Sequence, residues 1–134
     1  MTIDRMHQIG EVADAVGLSL RTIRHWDEVD LVPPSGRSAG GFRLYTDADI
    51  ERLRLVKSLK PLDLSLDDIG DLLDTRDLLR AKPAKAERAR LRERLAGYAA
   101  LAEQRCALLQ EQLASTRALA RNLRSEAGDD QEPR

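Results

Sequence analysis

Residues 9–26 admit few folds. Ile9, Val12, Ala13 and Val16 recur at i, i+3, i+4 and i+7, which puts four apolar side chains on one helical face. Gly17 ends that helix, and Ser19 opens another, because a Ser oxygen accepts from the orphan backbone N–H groups at a helix start. In the second helix Leu20 and Ile23 fall on one side, with Trp26 at its margin. Arg21, Thr22 and His25 project from the other side, and Arg24 sits between. Two short helices joined by a glycine turn, the second with a donor-rich outer face, form a helix-turn-helix signature. The expectation is that the second helix enters a DNA major groove.

Bulk charge does not announce that role. The 134-residue chain carries 22 Lys and Arg against 23 Asp and Glu, a net charge of −1. Residues 1–74 are acidic, with 9 basic against 14 acidic side chains, and residues 75–134 are basic, with 13 against 9. Phosphate contact needs only a local positive stripe, since charges beyond a Debye length of about 8–10 Å are screened. Three acid-free stretches supply candidates: Arg21 and Arg24, then Arg37 and Arg43, then Arg52, Arg54, Lys57 and Lys60.

Past the second helix, Leu31-Val32-Pro33-Pro34 cannot stay helical, because proline removes a donor and fixes φ. A Gly- and Ser-rich tip at 35–41 and the period-two pattern of Phe42-Arg43-Leu44-Tyr45 predict a β-hairpin wing over 31–45. Thr46-Asp47-Ala48-Asp49 opens a helix to about Lys60, with Ile50, Leu53, Val56 and Leu59 inward. Ser65-Leu66-Asp67-Asp68 opens another through about Leu73, with Leu66, Ile69, Leu72 and Leu73 inward. From 84 to 124 only Gly97 interrupts a helical pattern about 60 Å long at 1.5 Å per residue. Its apolar stripe is too narrow to be buried in a small monomer, so a coiled coil with another chain is expected. The organisation is therefore a DNA-binding domain over 1–74, a linker over 75–83, a dimerisation helix over 84–125 and a disordered tail over 126–134.

These residues resemble the MerR family of bacterial transcription regulators. The resemblance runs from Ile9 through Leu73 and is carried by Leu18-Ser19-Leu20-Arg21-Thr22-Ile23-Arg24, by Leu31-Val32-Pro33-Pro34, and by Gly41-Phe42-Arg43-Leu44-Tyr45-Thr46. It implies a mainly α fold: a winged helix-turn-helix followed by a long helix pairing antiparallel in a homodimer. The family's DNA contacts, carried onto matching positions, are Arg21, Thr22, Arg24, His25, Trp26, Arg37, Arg43, Tyr45, Lys57 and Lys60. His25-Trp26 stands where the family usually has two tyrosines. Imidazole and indole N–H groups then replace two phenols as phosphate donors, and His25 makes the grip pH-sensitive. Leu91, Leu95, Tyr98, Ala102, Cys106, Leu109, Leu119 and Leu123 are the expected dimer contacts, with Cys106 near its own mate at the crossing.

By the same resemblance, the dimer bends and untwists a pseudo-palindromic promoter site, with RNA polymerase as a further partner and a small-molecule or protein effector as a switch. Its metal-sensing and redox members use several cysteines, whereas this chain has one, Cys106, so no metal or cofactor is expected. The chain reads as a short form without a separate effector domain. No apolar run suits a membrane span and no signal-peptide pattern follows Met1, so a cytoplasmic protein is expected. No nucleophile–base signature or phosphate-binding glycine loop points to an enzyme. Two other classes stay open on the residues: an architectural, excisionase-like DNA-binding factor, and a coiled-coil interaction protein that does not bind DNA. For the basic stretch 76–94, a solvated face, an anionic ligand and pairing with the acidic surface 63–74 are the alternatives.

Overall fold

A computed structural model describes residues 5–128. The element order is β1 (His7–Gln8), α1 (Ile9–Val16), α2 (Leu20–Glu28), β2 (Gly36–Arg37), β3 (Arg43–Tyr45), α3 (Asp47–Ser58), a 3-10 turn (Lys60–Leu62), α4 (Leu66–Arg80) and α5 (Lys85–Gly128). Contacts divide the chain into two compact units, Met1–Leu95 and Ala96–Arg134.

Within the first unit the turn between α1 and α2 follows from backbone chemistry. Gly17 adopts φ 69°, a left-handed conformation that costs glycine little, and its N–H donates to the Ala13 carbonyl at 2.9 Å. Two residues later the Ser19 hydroxyl accepts from Thr22 N–H at 3.1 Å and starts α2. The helices bury Val12, Val16 and Ile23 against Ile50, Leu53 and Val56 of α3. Each such side chain contributes about 1.5–3 kcal/mol when fully buried. At the exit from α2 the N–H groups of Leu31 and Val32 both donate to the Trp26 carbonyl, folding two apolar residues back into the core.

The wing is a three-stranded antiparallel sheet of order β1-β3-β2. The hairpin β2–β3 matches the expectation from sequence. The third strand does not: His7 and Gln8 pair with Tyr45 and Leu44, a segment too short for a period-two pattern to register. Helix α3 carries the full capping box, with Thr46 accepting from Asp49 N–H and Asp49 accepting from Thr46 N–H. Ser65 likewise caps α4.

Several sequence expectations are corrected. Leu66, expected inward, is exposed, and so is Leu20 on the apolar side of α2; each is the first residue of its helix. Helix α4 runs to Arg80, so residues 75–80 are not a linker. Nothing stops the helix until Lys82, at φ 54°, and Pro83. Thr75 is buried there, its hydroxyl donating to the Asp71 carbonyl at 2.7 Å. Helix α5 continues through Gly128, so 126–128 are helical, and the rest of the expected tail, 129–134, lies outside the described residues.

His7 joins β1 to two helices. Its imidazole lies 3.1 Å from Glu11 and 2.8 Å from Asp47, and these hydrogen bonds, Glu11's first, raise its pKa above the ordinary 6.5. The same contact lowers Glu11 below its ordinary 4.5. A raised histidine stabilises the fold fully below pH 6.5, and that contribution fades as pH rises through the folded-state value. A lowered carboxylate stabilises above 4.5 and is lost as pH falls through its folded-state value. The melting temperature should therefore peak between these limits and decline as pH rises above 6.5, with His7→Asn flattening that decline. A decline of equal size in His7→Asn would refute the role.

Candidate nucleic-acid interface

Helix α2 presents Arg21, Arg24 and His25 to solvent, and none of the three makes a side-chain hydrogen bond or ion pair among the described residues. Beside them Thr22 is half-exposed, its hydroxyl 2.9 Å from that of Ser19. Trp26 is half-buried against the core, so its ring secures the base of α2 and is not a freely projecting donor. The outer face of α2 thus offers two guanidiniums, an imidazole and a hydroxyl.

The wing is tied to this helix by one carboxylate. Asp27, at the inner side of α2, accepts from Arg43 Nε at 2.7 Å and lies 3.7 Å from Arg37. Hydrogen bonding to Asp27 outweighs desolvation and raises the Arg43 pKa. Arg37 also donates to the Gly41 carbonyl at 3.1 Å, closing the hairpin tip. From sequence Arg43 has no evident ion-pair partner; the fold supplies one sixteen residues earlier. Its remaining guanidinium N–H groups and those of Arg37 are the wing's basic donors.

Tyr45 must be withdrawn from the DNA contacts. It is fully buried at 0% exposure in the centre of the sheet, and its hydroxyl has no partner among the described residues. Burial raises its pKa above 10.0, consistent with an apolar site. At the wing, by contrast, the ring of Phe42 is 70% exposed, a feature that the alternation of 42–45 leaves open because either face of a strand can be the inner one.

Lys57 is also committed: its ammonium donates to the Val16 carbonyl at 2.8 Å and caps the C-terminus of α1, where a cation complements the helix dipole. Lys60 is exposed in the 3-10 turn and its side chain makes no hydrogen bond or ion pair among the described residues, leaving its charge available. Arg52 and Arg54, counted from sequence in the same basic patch, are ion-paired to Asp77 and Glu51 on another face of α3. The interface therefore gathers Arg21, Thr22, Arg24, His25, Arg37, Arg43 and Lys60, and a linear count of charges overstated it.

A model of the MerR HTH family regulatory protein matches residues 8–76, which run from Gln8 of β1 into α4. The chain belongs to the MerR family. Over 68 residues, 51% of this chain, it is 41% identical to the HTH-type transcriptional activator mta of Bacillus subtilis, of which the match covers 26%. It is 38% identical over 86 residues to the HTH-type transcriptional activator TipA of Streptomyces coelicolor, covering 64% of this chain and 31% of that protein. Among solved structures it is similar to HiNmlR, a MerR family regulator lacking the sensor domain, bound to promoter DNA. There the TM-score is 0.66 at 27% identity, over 92% of this chain and 90% of that one. The matches thus span a quarter to a third of the length of these two curated relatives.

In this MerR-family protein the Asp27 link is what holds the wing to α2. Asp27→Ala should cost about 1–2 kcal/mol, since it removes a charge-assisted bond that is only partly shielded from water. Urea denaturation measures this, and an unchanged midpoint would mean that the wing holds its place without Asp27.

Proposed function

We propose that this protein regulates transcription by binding promoter DNA as a homodimer. The observation that carries the reading is the set of unpartnered donors on α2, Arg21, Arg24 and His25, flanked by the braced wing. Arg21 and Thr22 read the major groove, where a guanidinium can make two bonds to a guanine edge. Arg24, His25, Arg37, Arg43 and Lys60 hold phosphates and fix orientation. With so few base contacts, sequence choice rests partly on deformability, and bending a site by tens of degrees costs a few kcal/mol that added phosphate contacts offset. The MerR family and the DNA-bound state of HiNmlR support this over an architectural or purely coiled-coil role.

Fluorescence anisotropy on the DNA upstream of the gene tests it. Arg21→Ala should weaken binding by about 1–3 kcal/mol, and Lys60→Ala should reduce the salt slope by about 1. Affinity unchanged in both variants would reject DNA recognition by this face.

The dimer reading rests on the unit beyond residue 95. There Leu101, Leu108, Leu109, Leu113, Leu119 and Leu123 are each 39–55% exposed, more apolar surface than an isolated helix tolerates well. A 4,3 repeat without a charged member runs Ala99, Ala102, Cys106, Leu109, Leu113, Thr116, Ala120 and Leu123. Leu91 leaves the dimer set, because it is buried within the first unit, and Leu95 and Tyr98 are half-buried. Antiparallel pairing about the centre of this repeat sets Leu109 against Leu113 and Cys106 against Thr116. Two Cys106 residues would then lie about 15 Å apart along the axis, beyond disulfide reach, rather than beside each other. Leu109→Asp should convert a species of twice the chain mass to monomer in light scattering. Oxidation should leave the parent protein uncrosslinked through Cys106, and efficient Cys106 crosslinking would refute the register.

A further inference from the structure

Helices α3 and α4 flank an open pocket of about 460 Å³ whose walls carry four arginines, Arg52, Arg54, Arg76 and Arg80. Leu55 and Leu73 line it as well, giving it an apolar part. Two of the guanidiniums are neutralised in place. Arg52 bridges the helices to Asp77, and Arg54 donates to Glu51 at 2.7 Å. Arg76 and Arg80, one turn apart on α4, have no ion-pair or hydrogen-bond partner among the described residues. Four cations against two carboxylates leave the lining with an excess of two positive charges.

Such an excess is costly unless something answers it. Like charges lining one pocket repel, and solvent screens the half-buried Arg52 and Arg76 less than the exposed Arg54 and Arg80. The basic run 76–94 divides accordingly. Arg94 pairs with Asp71, Arg90 with Glu87, and Arg88 donates to the Pro83 carbonyl at 3.1 Å. Pairing with the acidic 63–74 segment therefore accounts for Arg94, whereas Arg76 and Arg80 face the cavity instead. DNA does not account for the cavity either. Leu55 and Lys57 are separated by about 200° around α3, so the cavity lies on the side of that helix turned away from the α1 terminus that Lys57 caps.

We propose that this cavity binds a small multiply charged anion, its charged end held by the Arg76 and Arg80 guanidiniums and its body resting against Leu55, the partly exposed leucine of the lining. Guanidinium forks match phosphate and carboxylate oxygens in bidentate geometry, which a point charge would not. The volume falls within the range of small-ligand sites. A bound anion also competes with Asp77 for Arg52, so occupancy bears on the bridge between α3 and α4. The assignment stands apart from DNA binding and holds or fails independently of it.

Calorimetric titration of the full chain with pyrophosphate and with citrate, at constant ionic strength, tests the site and separates a phosphate from a carboxylate preference. Saturable one-to-one binding of at least one anion is expected. Arg76→Gln and Arg80→Gln should each weaken it by roughly tenfold, the worth of one lost charge-assisted contact. Arg21→Gln should leave it unchanged. Arg80 is exposed, so its variant keeps the test valid even if Arg76→Gln disturbs folding. The proposal is overturned if neither anion saturates, if Arg80→Gln binds as the parent does, or if Arg21→Gln weakens binding equally. It is also overturned if Arg80→Gln abolishes the dimer or weakens promoter DNA as much as the anion. Those results would assign the cavity to a second copy or to DNA.

Discussion

A nine-residue helix is too short to persist alone in water, so α2 exists only because its inner side is buried. Ile23 is completely enclosed, and Leu31 and Val32 fold back over the same core through two hydrogen bonds to the Trp26 carbonyl. Every donor on the outer face inherits its position from that packing. Gly17 makes the arrangement attainable, since a side chain there would meet both an unfavourable φ and the Lys57 ammonium at 2.9 Å. Recognition by this protein is thus a property of the α1–α2–α3 core before it is a property of any arginine.

Charge is handled by local pairing. Four of the first unit's acids serve its structure: Asp27 holds the wing, Asp49 completes a capping box and accepts from Ser35 at 2.5 Å, and Glu11 and Asp47 hold His7. An acidic total is therefore compatible with an outer face of α2 on which Arg21, Arg24 and His25 stand exposed, with Glu28 as the one acid of the helix on that face. The same sorting explains why some cations leave the interface. Lys57 answers a helix C-terminus, and Arg52 and Arg54 answer carboxylates, so their charge is balanced where they stand. Arg76 and Arg80 are the pair on the α3–α4 walls left without such a balance.

Much of the fold was legible because it depends on short-range rules. Caps at Ser19, Thr46 and Ser65 announce helix starts through residue types that satisfy N–H groups three positions on. The apolar period of 9–16 and the proline pair at 33–34 mark one helix and one break. Among the described residues, no helix is long and apolar enough to cross a membrane, and no cluster of three metal-ligating side chains occurs. Misreadings arose where a local rule had two outcomes. A four-residue alternation does not say which face is inner, so nothing local opposed the family resemblance that gave Tyr45, a buried core residue, as a DNA contact. A two-residue strand such as His7-Gln8 has no pattern to detect. An uncapped helix end, as in α4, is visible only at the next proline.

The sequence by itself determined the helix pair, the β2–β3 hairpin of the wing, the three capped starts, the presence of a long last helix and the family, because each rests on neighbours a few positions apart. The tertiary structure alone decided which charges are free. Arg43 met Asp27, Lys57 met the Val16 carbonyl and Arg52 met Asp77 across separations of 16, 41 and 25 residues, while Arg21, Arg24, Arg76 and Arg80 met nothing among the described residues. Electrostatic attraction falls off over ångströms of space and takes no account of distance along the chain, so only the folded chain makes that division.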